Sequence, residues 1–240
     1  RGLGDVYKRQ IRFSAEERAV YELALERFYE IQARYFRSTG NSRKDSMMRI
    51  FQQIIMLLRI SAAPDTVDEY DGGVPCKPQK IIQMIRRWEN DYVAVGVRHI
   101  LTLNAYKRAI QDALPDRPLF CVTGRSTSLA KRRELKKTLK ESKNGILLCT
   151  QQSLPSSVDY EYVDKIIIPE FHYNNAGMSQ FYHRFIRFTS TERKDIYFVI
   201  YPESLESNLM QMILCKEKLN LYMNCLLYTS PSPRDPKTSR

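Results

Sequence analysis

The chain has 240 residues, of which 43% are hydrophobic and 27% are charged, and its net charge is +11 at pH 7. This length suits one large domain, or one domain with an appendage. The positive charge suits a polyanionic partner without identifying one. No apolar run approaches the ~20 residues that a transmembrane helix requires, so we expect no membrane partner.

The two ends of the chain look like translated sequencing-adapter sequence. Residues 1–10 read RGLGDVYKRQ and residues 225–240 read CLLYTSPSPRDPKTSR, and neither segment shows helical or strand periodicity. The alternative is a basic N-terminal arm and a Ser/Pro-rich tail. We leave both ends out of the fold prediction. We expect the natural sequence to lie within residues 11–224 and to be a fragment of a longer protein.

The cysteines between these ends are widely spaced, without a Cys-x-x-Cys pair or a histidine at metal-ligand spacing; they are Cys76, Cys121, Cys149 and Cys215. This pattern indicates reduced, mostly buried thiols and predicts neither a metal site nor a disulfide framework. The three histidines are scattered, and we assign them no metal or acid–base role. We expect a cytoplasmic protein, or a nuclear one in a eukaryote, rather than a secreted one.

Two helices are predicted in the first quarter of the chain. Residues 14–37 begin with a capping-box pattern, Ser14 followed by Glu17 three residues later, and continue with apolar residues at helical spacing. The polar stretch after residue 37 ends this helix, and a second helix is predicted over residues 47–62. Residues 65–76 are acidic and rich in Gly and Pro, which is typical of a linker.

From residue 77 onward, short apolar runs alternate with helical patterns. The predicted strands are 99–103, 119–124, 145–150, 165–169 and 195–201, and the predicted helices are 79–89, 105–114, 129–139, 178–188 and 205–219. Continuous apolar strands separated by helices predict an α/β fold, a parallel sheet with helices on both faces. The chain therefore divides into a helical segment (11–64), the linker and an α/β domain (77–222).

Polar side chains recur at helical spacing within the otherwise apolar segment 180–188, QFYHRFIRF. They are Gln180, Arg184 and Arg187. On a helix they lie within about 60° of one another, beside a stripe of phenylalanines. Two arginines on one rim repel each other unless an anion lies between them, and the guanidinium donors suit phosphate. The alternatives are a solvated basic face, or ion pairs with Glu170 or Glu192.

Segment 170–188 has a more specific pattern. An acidic residue ends the strand, an aromatic–Asn pair follows, and a glutamine comes ten residues after the acid: these are Glu170, Tyr173, Asn174 and Gln180. This spacing, with Gln-x3-Arg-x2-Arg, resembles motif VI of superfamily-two helicases, and the full string is closer to the Swi/Snf-type ATPases.

Other strings follow in the same order as in that family. HILTLNAYKRAI looks like motif IV, VTGRSTSLAKRREL looks like a Gly–Ser–Thr–Ser run followed by an arginine, and GILLCTQQS occupies the place of motif V. The resemblance covers nearly all of residues 14–222 and implies a C-terminal RecA-like lobe preceded by a helical inter-lobe segment. Two places differ from the family: QQSLPSSVD follows the motif V strand, and Thr189-Ser190 replaces the usual Gly-Gln.

The resemblance implies a role in ATP hydrolysis between two lobes. The P-loop pattern is absent, since none of the nine glycines is followed by Lys. ATP and Mg²⁺ would therefore be held mainly by the missing N-terminal RecA-like lobe of the same chain, and the fragment alone is expected to be inactive. By resemblance, Arg184 and Arg187 would act as arginine fingers, and Gln180 would orient the cleft side of their helix.

The resemblance also implies contacts with the backbone of double-stranded DNA. The candidates are the residues that end the predicted motif IV and V strands and the arginines that follow the Gly–Ser–Thr–Ser run: Thr102, Asn104, Thr150, Gln151, Gln152, Arg132 and Arg133. Hydroxyls, amides and guanidiniums at strand ends suit sequence-independent phosphate contacts. The basic run in residues 131–137 has a simpler alternative, a solvated helix face.

Three functions remain open at this point. The leading hypothesis is the second motor lobe of an ATP-dependent translocase or remodeller. The second is a strand-separating helicase of the same superfamily. The third is a degenerate lobe that only binds nucleic acid or docks a protein, which the altered motif V favours and the arginine pair opposes.

Overall fold

A six-stranded parallel sheet organises the computed structural model, which describes residues 6–124, 128–154, 160, 162–171, 180–181, 183–185 and 194–212. Its strands are β1 (Val6–Gln10), β2 (Val93–Val97), β3 (Leu119–Val122), β4 (Ile146–Thr150), β5 (Lys165–Ile168) and β6 (Asp195–Ile200). Their order across the sheet is β1-β6-β5-β2-β4-β3, and every neighbouring pair is parallel. The predicted α/β fold with a parallel sheet is confirmed.

Helices cover both faces of the sheet, as predicted. They are α1 (Ala15–Arg37), α2 (Gly40–Ala62), α3 (Cys76–Arg87), α4 (Ile100–Ala113), α5 (Leu129–Glu141) and α6 (205–212), with a 3₁₀ turn at Pro64–Thr66. Successive strand residues point to opposite faces. Ile167 therefore packs with α3 and α4, whereas Ile166 and Ile168 pack with α2, α5 and α6. Within the described residues, no helix has the length and apolar character needed to cross a membrane.

The first helix begins with the predicted capping box. The Ser14 hydroxyl accepts the Glu17 N–H at 3.2 Å, and the Glu17 carboxylate accepts the Ser14 N–H at 2.8 Å. Glu17 is also buried, and its second oxygen accepts the Cys76 N–H at 2.6 Å and the Tyr201 hydroxyl at 3.1 Å. The cap therefore also joins α1 to α3 and to the end of β6.

The predicted strand over residues 99–103 is wrong, because those residues belong to the start of α4. The strand in this part of the sheet is β2, a fully buried run of valine, alanine and glycine. Only Arg98 and His99 separate β2 from α4, and the buried Leu103 and Tyr106 recur along this helix at helical spacing. The second helix also starts earlier than predicted, at Gly40, because only Ser38 and Thr39 interrupt the α1–α2 hairpin.

Residues 6–10 form an edge strand, although their sequence shows no strand periodicity. β1 pairs in parallel with β6, and the Tyr7 ring stacks on Tyr197 at 4.9 Å. An edge strand is held mainly by backbone hydrogen bonds, so it places few demands on side-chain order. The other four predicted strands are confirmed, with small differences at their ends.

A fully buried ion pair connects α3 to α6. Lys77 Nζ lies 2.6 Å from the Glu206 carboxylate and donates to the Pro169 carbonyl at 2.9 Å. The second Glu206 oxygen accepts the Tyr201 N–H at 3.2 Å. Burial lowers the pKa of Lys77 and raises the pKa of Glu206, and their mutual attraction opposes both shifts. The pair therefore holds α3, α6 and the end of β5 together.

Replacing Lys77 with methionine should destabilise the chain by about 3–5 kcal/mol, because it leaves the Glu206 carboxylate buried without its counter-ion. The double substitution Lys77→Met/Glu206→Leu should recover much of this loss. Urea unfolding of the three proteins measures both effects. Lys137→Met, which breaks an exposed pair with Glu141, is the matched control and should change stability little. A double variant no more stable than the single one would contradict this account.

Candidate functional site

The carboxyl ends of β2, β4 and β5 lie side by side at one edge of the sheet. In open α/β sheets, ligands bind at this edge. The residues that follow these strands include Gln151, Gln152 and Glu170, which the sequence analysis singled out. We call it the carboxyl edge, and define it by the residues that follow these three strands: 98–99, 151–153 and 169–171.

Glu170 lies at the centre of the carboxyl edge and is fully buried. One carboxylate oxygen accepts the N–H groups of Arg98 at 2.6 Å and His99 at 3.1 Å. The other oxygen contacts His99 Nδ1 and accepts the Thr102 hydroxyl at 3.4 Å. His99 is the N-cap residue of α4, where a carboxylate is favoured by the helix dipole. The described contacts of the Glu170 carboxylate thus go to the start of α4 and the two residues before it, rather than to Arg184.

Gln151 bridges the ends of three strands. Its side-chain amide donates to the carbonyls of Gly96 at 3.0 Å and Glu170 at 2.7 Å, and its backbone N–H donates to Val97 at 2.8 Å. The side-chain amide of Gln151, which suggested a DNA contact in the sequence analysis, therefore holds these strand ends together. Thr150 is also buried, whereas Gln152 is exposed. Of the three motif V candidates, only Gln152 presents its side chain to the surface.

Thr102 and Asn104 do not end a strand, which corrects the sequence prediction: both lie on α4. Thr102 is buried against Glu170, because it occupies the inward face of the first helical turn. Asn104 is exposed and lines a surface pocket of about 540 Å³ with Lys107 and Arg108. Periodicity missed this arrangement because the leucines in this segment suit a strand and a helix equally.

The two arginine candidates on α5 occupy different environments. Ser128 caps this helix by accepting the Lys131 N–H at 3.2 Å. Arg132 folds back and donates to the carbonyls of Thr123 at 3.3 Å and Gly124 at 3.2 Å, which ties α5 to the end of β3. Arg133 is exposed. Arg132 therefore shapes the start of α5, and Arg133 is presented to solvent.

Two aromatic residues of segment 180–188, Phe181 and Phe185, pack inward as predicted. Phe181 and Phe185 are fully buried, with their rings edge to face at 5.3 Å. Gln180 is exposed and helical, and residues 183–185 form a turn in which the Arg184 N–H donates to the Phe181 carbonyl at 3.2 Å. Other predicted positions lie outside the described residues: they are His172, Tyr173, Asn174, Arg187, Phe188 and Glu192.

Arg184 is half-buried and is the most distinctive polar group of this segment. Its Nε and Nη1 atoms are buried, and among the described residues neither has a hydrogen-bond partner. Burial lowers the pKa of the Arg184 guanidinium, and the Cys149 thiol acts in the opposite direction. A buried donor without an acceptor costs about 1–3 kcal/mol, and more when it is charged. An anion that accepts from both nitrogens would remove this cost.

Solved structures show where this fold occurs. The C-terminal part of the Fun30 ATPase domain has a TM-score of 0.69 at 12% identity, covering 88% of this chain and 89% of that chain. The SWI2/SNF2 ATPase C-terminal domain of Sulfolobus solfataricus has a TM-score of 0.67 at 14% identity, covering 89% and 87%. The chain thus has the RecA-like α/β fold of these C-terminal ATPase domains.

A longer solved protein places this fold within a larger unit. The Sulfolobus solfataricus SWI2/SNF2 ATPase core in complex with double-stranded DNA has a TM-score of 0.70 at 16% identity, covering 89% of this chain. The chain spans only 44% of that core. No protein-family model matches the chain, and no curated protein is similar to it in sequence.

Glu170→Ala should destabilise the chain by about 2–3 kcal/mol, since the N–H groups of Arg98 and His99 lose their acceptor in a buried setting. Amide hydrogen exchange should accelerate in the first turn of α4 and change less in α3. Glu203→Ala, which removes an exposed carboxylate paired with Arg18, is the control and should leave both measurements nearly unchanged. Unchanged exchange at residues 98–103 in Glu170→Ala would show that the carboxylate does not hold α4.

Proposed function

We propose that this chain is the second motor lobe of an ATP-dependent double-stranded DNA translocase or remodeller in the Swi/Snf-like branch of superfamily two. The observation that carries the proposal is Arg184, whose guanidinium keeps two buried donor atoms without an acceptor among the described residues. The order of the motifs in the sequence and the fold shared with C-terminal ATPase domains support it.

In this proposal the arginine segment completes an ATP site formed mainly by the first lobe. That lobe holds ATP and Mg²⁺, and closure of the cleft brings Arg184 and Arg187 to the transferring phosphoryl group. Their guanidiniums stabilise the charge that spreads over its oxygens, a contribution of about 10³–10⁵ in turnover for arginine fingers. Gln180, exposed one turn earlier, orients the same face. Arg184 is suited to this role because the buried aromatic residues on either side leave its side chain little freedom.

DNA contacts in this proposal come from the exposed candidates. Asn104, Arg133 and Gln152 follow the carboxyl ends of β2, β3 and β4, so they lie towards the same edge of the sheet. An amide or guanidinium at such a position suits phosphate oxygens and carries no sequence information. The remaining candidates support these residues from within the lobe, because their polar groups are hydrogen-bonded or buried there. They are Thr102, Thr150, Gln151 and Arg132. The double-stranded DNA in the Sulfolobus complex supports duplex rather than single-stranded DNA as the partner.

The arginine assignment is tested in the full-length protein with both lobes. Arg184→Ala and Arg187→Ala should each lower the kcat of DNA-stimulated ATP hydrolysis by about 10³ or more. Affinity for duplex DNA should change less than about threefold, since neither residue is proposed to contact phosphate in DNA. Arg87→Ala, an exposed arginine at the end of α3, should behave as wild type. Hydrolysis that survives both substitutions would overturn the finger assignment. A wild-type protein that binds DNA without hydrolysing ATP would favour a lobe that only binds or docks.

The DNA surface is tested by the salt dependence of binding. Arg133→Gln should weaken duplex binding equally for unrelated sequences, and should reduce the slope of log K against log salt by about 1. Arg87→Gln removes the same charge before β2, away from the carboxyl edge, and should leave the slope unchanged. Equal slopes for the two variants would mean that Arg133 does not contact a phosphate.

A further inference from the structure

We propose that Gly96 is a positioning residue: the absence of its side chain lets the Phe181 ring lie against β2, and this contact fixes Arg184 in place. The proposal rests on the proposed function, because it identifies what holds Arg184 in place to bind a phosphate. It concerns a strand residue that the sequence analysis did not consider. We call the contact between Gly96 and Phe181 the glycine seat.

The space at Gly96 is already filled by the aromatic ring. A Cβ built at Gly96 would lie 2.3 Å from both Cε1 and Cζ of Phe181 and 3.1 Å from Cδ1. The backbone of Gly96 is ordinary extended strand and does not have the positive φ that favours glycine. A glycine within a strand interior weakens the strand and often marks the close approach of another group. Here the approaching group is Phe181.

Both sides of the glycine seat are held firmly. The Gly96 carbonyl accepts the Gln151 side-chain amide at 3.0 Å, and β2 is paired with β4 and β5 on its two sides. Phe181 is fully buried and packs edge to face on Phe185 at 5.3 Å. Protein interiors are close-packed, so the ring has little room to retreat from an added methyl group.

The glycine seat is linked to Arg184 through the backbone turn that both Phe181 and Arg184 belong to. The Arg184 N–H donates to the Phe181 carbonyl at 3.2 Å, so the two residues span a single turn. The Cys149 thiol, on the register partner of Gly96 in β4, acts to raise the pKa of Arg184 against the larger effect of burial. The ring therefore lies on β2, and the turn that contains Arg184 follows it directly. A ring displaced from β2 would carry the turn, and the guanidinium, with it.

The first test is hydrolysis by the full-length protein. Gly96→Ala should lower the kcat of DNA-stimulated ATP hydrolysis by about 10²-fold, the effect of misplacing a catalytic group by about 1 Å. DNA affinity should be unchanged. Adding Phe181→Leu should restore at least a tenth of wild-type kcat, because leucine lacks the ring atoms that meet the new methyl group. Gly73→Ala is the control, since a Cβ there meets nothing within 4 Å.

The second test follows Arg184 directly and does not need ATP hydrolysis. In the 240-residue chain with ¹⁵N-labelled arginine, the buried Nε–H of Arg184 should give a slowly exchanging NMR signal, assigned by its loss in Arg184→Lys. Gly96→Ala should shift this signal, and Gly96→Ala/Phe181→Leu should return it towards its wild-type position. If Gly96→Ala does not fold, Phe181→Leu alone serves, and it should accelerate exchange of the same proton.

The outcomes separate the two proposals. An unmoved Arg184 signal in Gly96→Ala, or a double variant as impaired as the single one, overturns the glycine seat. A wild-type protein that binds DNA but does not hydrolyse ATP overturns the proposed function, and the NMR series still decides whether Gly96 positions Arg184. A restored signal together with restored kcat supports both.

Discussion

The carboxylate of Glu170 is the interaction on which the carboxyl edge depends. A buried carboxylate is tolerated only when hydrogen bonds replace the water that it loses. Here those bonds come from the two residues that precede α4, Arg98 and His99, while the Glu170 carbonyl accepts the amide of Gln151. Glu170, which follows β5 and Pro169, therefore fixes the start of α4 and the ends of two neighbouring strands. Phe181, three residues before Arg184, packs against the end of β2 at this edge.

Buried polar contacts extend from this edge to the helical hairpin. Lys77 donates to the carbonyl of Pro169, the neighbour of Glu170, and pairs with Glu206. Glu206 accepts the Tyr201 N–H, and the Tyr201 hydroxyl reaches Glu17 on α1. Each group has a defined partner, so few alternative packings satisfy all of them. The position of α1 relative to the sheet is therefore set by hydrogen-bond geometry as well as by apolar contact.

Local patterns were sufficient for much of this fold. A few adjacent residues are enough to predict the Ser14–Glu17 capping box and the strands β3 to β6. β2 was missed because its five residues include a glycine and the leucines after it imitate a strand. The partners of Glu170 lie 71 and 72 residues away in sequence, and no local pattern encodes such a contact. The burial of Gln151 and Thr102 depends on contacts of the same long-range kind, so the local sequence could not predict it either.

The unsatisfied nitrogens of Arg184 make the free lobe locally frustrated, in the sense that one native group opposes the stability of the rest. Over the described part of the chain this guanidinium has no acceptor for Nε or Nη1. On the proposed function, the terminal phosphate of the nucleotide supplies one, so relief of frustration and recognition of the phosphate are a single event. A nucleotide that has lost this phosphate supplies no acceptor to the two nitrogens of Arg184 and does not relieve the frustration. Discrimination between substrate and product would then arise from an energetic defect retained in the resting fold.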